Sequence, residues 1–205
     1  MTKTRSVRPA GISMTEGSLL RNIFLFSVPL MFSQLLQVLF NMADVAVVGK
    51  FSSATALGSV GSTSTLVTLF TGFLIGLSNG VNVRVAQYLG ARHDEDTRNC
   101  VHTALILCTL AGLVITVLCF TLAAPMLELL KTKDDLLPGA VLYFRIYALG
   151  MPALGIFNFG NAVLSASGDT KRPLVYLTAA GILNVILNLF FVIVCKMAAD
   201  GVALA

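Results

Sequence analysis

The residues of this sequence best suited to chemistry are one aspartate and a set of amides, all set inside long apolar runs. Gln34, Gln37, Asn41 and Asp44 follow spacings of three, four and three, which puts all four on one face of a helix. Asn184 and Asn188 stand one turn apart in a later run, and Asn158, Asn161 and Ser165 share a face in the run between. Carboxylate and amide oxygens are what a hard cation such as Na⁺ takes as ligands, and a buried carboxylate alone can carry a proton. The spacing therefore points to a cation or proton site at Asp44. Apart from Na⁺ at Asp44, no metal is expected. His93, Asp94, Glu95 and Asp96 are consecutive in a charged segment, and consecutive residues rarely converge on one ion. No Ser/His/Asp, Cys/His or zinc spacing falls within an apolar run, so the chain reads as a protein that is not an enzyme and needs no cofactor beyond a coupling ion.

The elements that carry these residues follow from composition. Of 205 residues, 56% are hydrophobic and 12% charged, with a mean hydropathy of +0.86. A soluble domain carries about 25% charged residues, so the chain is predicted to be an all-α polytopic membrane protein. A helix over Ile23–Val48 is long enough to cross a hydrocarbon core of roughly 30 Å. Asp44 is the single charge in it, and an aspartate at that depth costs on the order of 3 kcal/mol unless it faces protein or water. Pro29 removes a backbone donor and invites a bend.

Five spans are predicted, at about 23–48, 59–88, 100–122, 140–165 and 173–195, with a sixth starting near 201. A polar segment over residues 1–22 precedes them, and residues 23–205 form one transmembrane lobe. Gly49–Gly58 and Ala91–Arg98 read as loops, with Asp96 or Thr97 as a cap for the third span. Gly72, Gly76 and Gly80 form a ridge on the second span that would let another helix approach closely. Pro125 closes or bends the third span. Gly150, Pro152, Gly155 and Gly160 predict a bent fourth span. Arg84 lies near the end of the second span, where its stem reaches the headgroups. The four cysteines lack CxxC spacing and read as packed, reduced thiols.

With the N-terminus inside, the inner segments hold Lys3, Arg5, Arg8, Arg21, Arg84, Arg92, Arg98, Lys171 and Arg172. The outer ones hold Lys50, Lys131, Lys133 and Lys196. Nine against four predicts a cytoplasmic N-terminus; the expected location of this multi-pass protein is the plasma membrane. The net charge of +4 follows this loop asymmetry and does not imply nucleic acid. Asp44 then lies roughly 9 Å, and Asn188 roughly 12 Å, from the outer ends of their spans. An Asp44–Asn41–Asn184–Asn188 cluster in the outer half is expected, with Asn158 and Asn161 in another, inner layer.

Several stretches carry a family resemblance: PLMFSQLLQVLFNMADVAVVGKF, GLSNGVNVRVAQYLGAR, YFRIYALGMPALGIFNFGNAVLSASGDTKRP, and ILNVILNLFFV followed by DGVALA. Together and in order they resemble the multidrug and toxic compound extrusion (MATE) family of cation-coupled efflux transporters. The resemblance implies two six-helix lobes that open alternately to either side, of which this chain supplies most of the N-terminal one. The partners implied are a small-molecule substrate, a coupling cation, the lipid bilayer and a C-terminal lobe. It also implies that Asp44 is the cation-coupling aspartate and that Asn184 and Asn188 occupy an Asn-xxx-Asp pair. Here the second position is an amide, so Asp44 is the only acid of the cluster, and either H⁺ or Na⁺ is the coupling ion. Gln34, Gln37, Asn158 and Asn161 are the substrate-cavity candidates. The alternatives are a lipid-linked oligosaccharide flippase, whose cavity should hold several basic residues for pyrophosphate, and a channel or non-transporting membrane scaffold.

Overall fold

The computed structural model describes residues 18–51, 53–197 and 199–205. The basic residues Lys3, Arg5 and Arg8, and most of the expected N-terminal segment, lie outside these. The first helix begins earlier than expected, so that α1 runs Leu19–Phe51 and passes through Pro29 without ending. It is followed by α2 (Ala54–Gly90), α3 (Asp94–Leu129), α4 (Leu137–Leu149), α5 (Met151–Ala166) and α6 (Lys171–Leu189). A π-helical turn, Phe190–Val194, ends α6, and α7 (Ala199–Leu204) closes the described chain. Helices α1, α2, α3 and α6 with its π turn are each long and apolar enough to cross a membrane, and the bent pair α4–α5 makes a fifth span. All elements among the described residues are helical, as the hydropathy predicts, and α7 falls where a sixth span was expected to begin.

The loops are shorter than the charge pattern suggested. Most of Gly49–Gly58 is helical, and Asp94–Arg98 is the first turn of α3. Neither Asp96 nor Thr97 is the cap of α3. That position falls to His93, which makes no side-chain cap bond, while Thr97 Oγ1 donates back to the His93 carbonyl. Three acids in the first turn suit the positive end of the helix, so the segment winds up without a cap. Pro125 does not end α3 either, which continues to Leu129. The connection from α5 to α6 is four residues long and closes on a glycine. Gly168 takes φ 83°, its N–H donates to Ser165 O, and Asp169 N–H donates to Leu164 O, a glycine-closed helix end. Asp169 then accepts from the Arg172 backbone and pairs with its guanidinium at 3.1 Å, fixing the start of α6.

The break between α4 and α5 has a clear physical origin. Pro152 has no N–H, so the carbonyl of Ala148 loses its helical donor. Thr116 Oγ1 of α3 lies 2.8 Å from that oxygen and donates to it. Gly112, one turn earlier, leaves room for the turn itself, since a Cβ there would sit 2.6 Å from Pro152 Cα. The two halves diverge by 46° at Gly150. Gly155 continues the seam, its Cα facing the Cys108 carbonyl at a distance that admits no side chain.

Close helix packing thus uses Gly112 and Gly155, not the ridge expected on α2. Gly72, Gly76 and Gly80 have no heavy atom within 4 Å of where a Cβ would stand, so among the described residues no helix docks on them. Three apolar clusters hold the bundle. One runs through α2, α3 and α4 around Leu74, Ile115 and Phe144. A second at the α1–α2 end joins Val48, Ala56, Tyr143 and Val202. The third, toward the opposite end, joins Val81, Val85, Cys108 and Phe159. Helix α1 joins this core only at its C-terminal end, through Val47 and Val48. It packs chiefly on α6, and none of the residues of its most apolar window is buried.

Candidate functional site

What brings Asp44 to its partners is the crossing of α1 and α6. Gly181 of α6 has no side chain, and the Phe40 ring of α1 occupies the space a Cβ would take. The two helices run in the same direction from that point, so one turn beyond Phe40 and two turns beyond Gly181 their polar residues meet. Asn188 Nδ2 donates to Asp44 Oδ1 at 2.5 Å and to Asn184 Oδ1 at 3.3 Å. Asn188 is 1% exposed. Both of its amide hydrogens are used, while its own Oδ1 is buried with no hydrogen-bond partner. A buried acceptor left unmatched costs about 1–3 kcal/mol. The carboxylate of Asp44 and the amide oxygens of Asn184 and Asn188 therefore form a patch of oxygens with too few donors.

Asn41 is not joined to this patch. Its Nδ2 donates to the Gln37 carbonyl at 2.9 Å, and the side chain is exposed. The same-face spacing that put it beside Asp44 also put it within reach of a carbonyl four residues back, and that local bond holds it. Two residues that the amide pattern did not single out also belong near Asp44. Tyr143 and Tyr147 of α4 stack at 6.2 Å, and both pack in the cluster that holds Val47 and Val48, the turn of α1 after Asp44. Their spacing of four was the available signal.

A second polar layer lies on the other side of Phe40. A cavity of about 250 Å³ opens between α1, α2, α5 and the start of α6, and Gln34, Gln37, Asn158 and Asn161 all line it. Ser33, Ser78, Asn79, Asn82 and Ser165 line it as well. Asn82 Nδ2 crosses to the Ala162 carbonyl at 2.8 Å and ties α2 to α5. Asn158 is held on its own helix by Leu154 O at 3.0 Å. Ser78 Oγ is buried without a partner. No lining residue of this cavity carries a charge. Asn79 and Asn82 were missed because they sit three apart in a run whose glycines suggested a packing seam.

Comparison with known proteins addresses the chain as a whole. The MatE family model matches residues 29–190, which include Asp44, both amide layers and all of α6. The "Probable multidrug resistance protein YpnP" of Bacillus subtilis is 32% identical over 189 residues, covering 92% of this chain and 42% of that protein. An "FAD transporter" of Shewanella oneidensis is 26% identical over 149 residues, covering 73% of this chain and 33% of that protein. A crystal structure of a MATE in complex with MaD3S superposes with a TM-score of 0.88 at 25% identity, over 95% of this chain and 44% of that one. The chain thus spans less than half the length of these proteins. With its bent fourth span, its α1–α6 polar contact and this match over most of its length, the chain belongs to the MatE family, the multidrug and toxic compound extrusion transporters.

Proposed function

We propose that this chain is the N-terminal lobe of a secondary antiporter that exports organic, often cationic, molecules across the plasma membrane in exchange for H⁺ or Na⁺. The observation that carries the reading is the underdonated oxygen patch at Asp44, Asn184 and Asn188. A cation there would satisfy the orphan Asn188 oxygen and neutralise the one acid at once. Substrate would enter the uncharged amide cavity that includes Gln34, Gln37, Asn158 and Asn161. Export needs a second, C-terminal lobe to complete the pathway and rock against this one, and the relatives' greater length supports that partner. The basic-residue count supports a cytoplasmic N-terminus. A pyrophosphate-carrying flippase would need basic residues in the cavity, and none lines it.

The test is Asp44→Asn in the two-lobe protein. Asparagine keeps the size and an oxygen for the Asn188 amide, so packing and expression should be normal. Efflux driven by a Na⁺ or pH gradient should fall at least about tenfold, the factor set by about 1.4 kcal/mol of lost coupling. Undiminished gradient-driven efflux at normal expression would reduce Asp44 to a structural tie between α1 and α6.

A further inference from the structure

Away from both polar layers, a groove of about 570 Å³ runs between α2 and α3 at the end where the two helices are joined. Its mouth is polar, formed by Arg84, Tyr88, Asn99 and Thr103, with Asp96 at the rim. Its walls are apolar, formed by Leu77, Val81, Ala104 and Leu107, and Gly80 keeps it open because nothing stands within 4 Å of its missing side chain. Through Thr103 and Leu107 the groove continues into an apolar gutter along α3, lined by Ile106, Leu110 and Val114. From Thr103 to Val114 the gutter is about 16 Å long at 1.5 Å per residue. One leaflet of hydrocarbon is about 15 Å thick.

The charge at the mouth fits the same occupant. Arg84 lies over the Tyr88 ring at 5.0 Å and donates to Tyr88 Oη at 2.7 Å and Gln87 Oε1 at 3.2 Å, all neutral groups. Neither of the salt bridges among the described residues includes it. The nearby Asp96 is hydrogen-bonded to His93 Nδ1 at 2.9 Å and makes no ion pair with Arg84. A guanidinium held at headgroup depth by neutral neighbours keeps N–H donors free for a phosphate.

We propose that this groove is a binding site for an anionic phospholipid of the bilayer, with its phosphate on Arg84 and one acyl chain along Leu107, Leu110 and Val114. Asn99 and Thr103 offer hydrogen bonds to the glycerol and headgroup oxygens. The ligand is fixed by chemistry: a negative head beside one arginine, and a tail one leaflet long.

This chain contains no tryptophan, so in a two-lobe protein with any tryptophan outside it replaced by phenylalanine, Leu107→Trp gives a single reporter inside the groove. The protein is reconstituted in nanodiscs, and its fluorescence is titrated with acyl-brominated phosphatidylglycerol or phosphatidylcholine. Phosphatidylglycerol should quench at about fivefold lower mole fraction, the factor one basic residue contributes at an anionic surface. Arg84→Gln should bring the two lipids to parity, and high salt should do the same in the unmodified arginine background. Gly80→Leu fills the groove and should weaken quenching by both. Equal quenching by the two headgroups with Arg84 present, or a preference that survives both Arg84→Gln and salt, overturns the proposal. A reporter that no brominated lipid quenches means that protein covers the groove, and this also overturns it.

Discussion

The bend between α4 and α5 makes a quantitative prediction. Pro152 leaves the Ala148 carbonyl without its helical donor, and Thr116 Oγ1 supplies the missing bond from α3 at 2.8 Å. Thr116 also lies 3.0 Å from Gly112 O, but its one hydroxyl hydrogen serves one acceptor at a time, and the Gly112 carbonyl already has a backbone donor. Thr116→Val is close to isosteric and deletes that hydroxyl. Hydrogen bonds between membrane helices contribute about 0.6 kcal/mol on average and up to about 1.7. Because Pro152 denies the Ala148 carbonyl its donor four residues on, the loss should exceed that average, at about 1 kcal/mol. Pro152→Ala restores an N–H to the same carbonyl while keeping the Cα that packs on Gly112. In that background Thr116→Val should cost no more than about 0.3 kcal/mol, since the carbonyl now has its own donor. The coupling energy of the cycle is therefore about 0.7 kcal/mol, of the sign that makes the double variant more stable than additivity predicts. Unfolding in mixed micelles followed by circular dichroism measures all four proteins. Additive effects, or a Thr116→Val loss below about 0.3 kcal/mol in the proline background, would refute the shared-carbonyl account of the bend.

Two further predictions follow from the site and the loops. Asn188→Asp places a second carboxylate against Asp44, where two acids can share one bound cation, so Na⁺ dependence of transport in the two-lobe protein should strengthen; unchanged Na⁺ dependence would remove Asn188 from the ion site. In a cysteine-free background, His93→Cys should be shielded from an impermeant thiol reagent in intact cells and Lys133→Cys should react, as the basic-residue bias requires; the reverse pattern overturns the orientation.

What the sequence made legible, and what it did not, divides along the range of the forces involved. Hydropathy runs and the Gly150–Pro152 break are local, and they located the five spans and the bent fourth one. Same-face spacing along α1 correctly grouped Gln34 with Gln37, which line one cavity. Common depth on two different helices placed Asp44 with Asn184 and Asn188. The same rule failed for Asn41, because a carbonyl four residues back on its own helix competes at shorter range. The glycines were misread for a different reason. Both Gly76 and Gly112 sit in apolar helices, and nothing local distinguishes a glycine beside another backbone from one beside open space. Only Pro152, forty residues away, makes Gly112 the close contact. Charged segments were read as loops because charge marks solvent exposure, yet an exposed first turn such as Asp94–Asp96 satisfies that equally well.

The spacing of the two polar layers along α1 bears on how one ion could govern one substrate. Gln37 lines the uncharged cavity and Asp44 follows seven residues later, so the layers are about 10 Å apart along the helix. At an effective dielectric of about 20, a unit positive charge in the cavity is stabilised by the Asp44 carboxylate by about 1.7 kcal/mol. A proton or Na⁺ at Asp44 cancels that attraction. The difference falls within the 1–3 kcal/mol typical of coupling between two sites. The absence of any other charge in the cavity is what lets a single aspartate carry it, since a lysine or a second acid among the lining residues would outweigh a carboxylate 10 Å away. Under the proposed function, a neutral cavity beside one acid would couple a cationic substrate to a cation with no contact between the two.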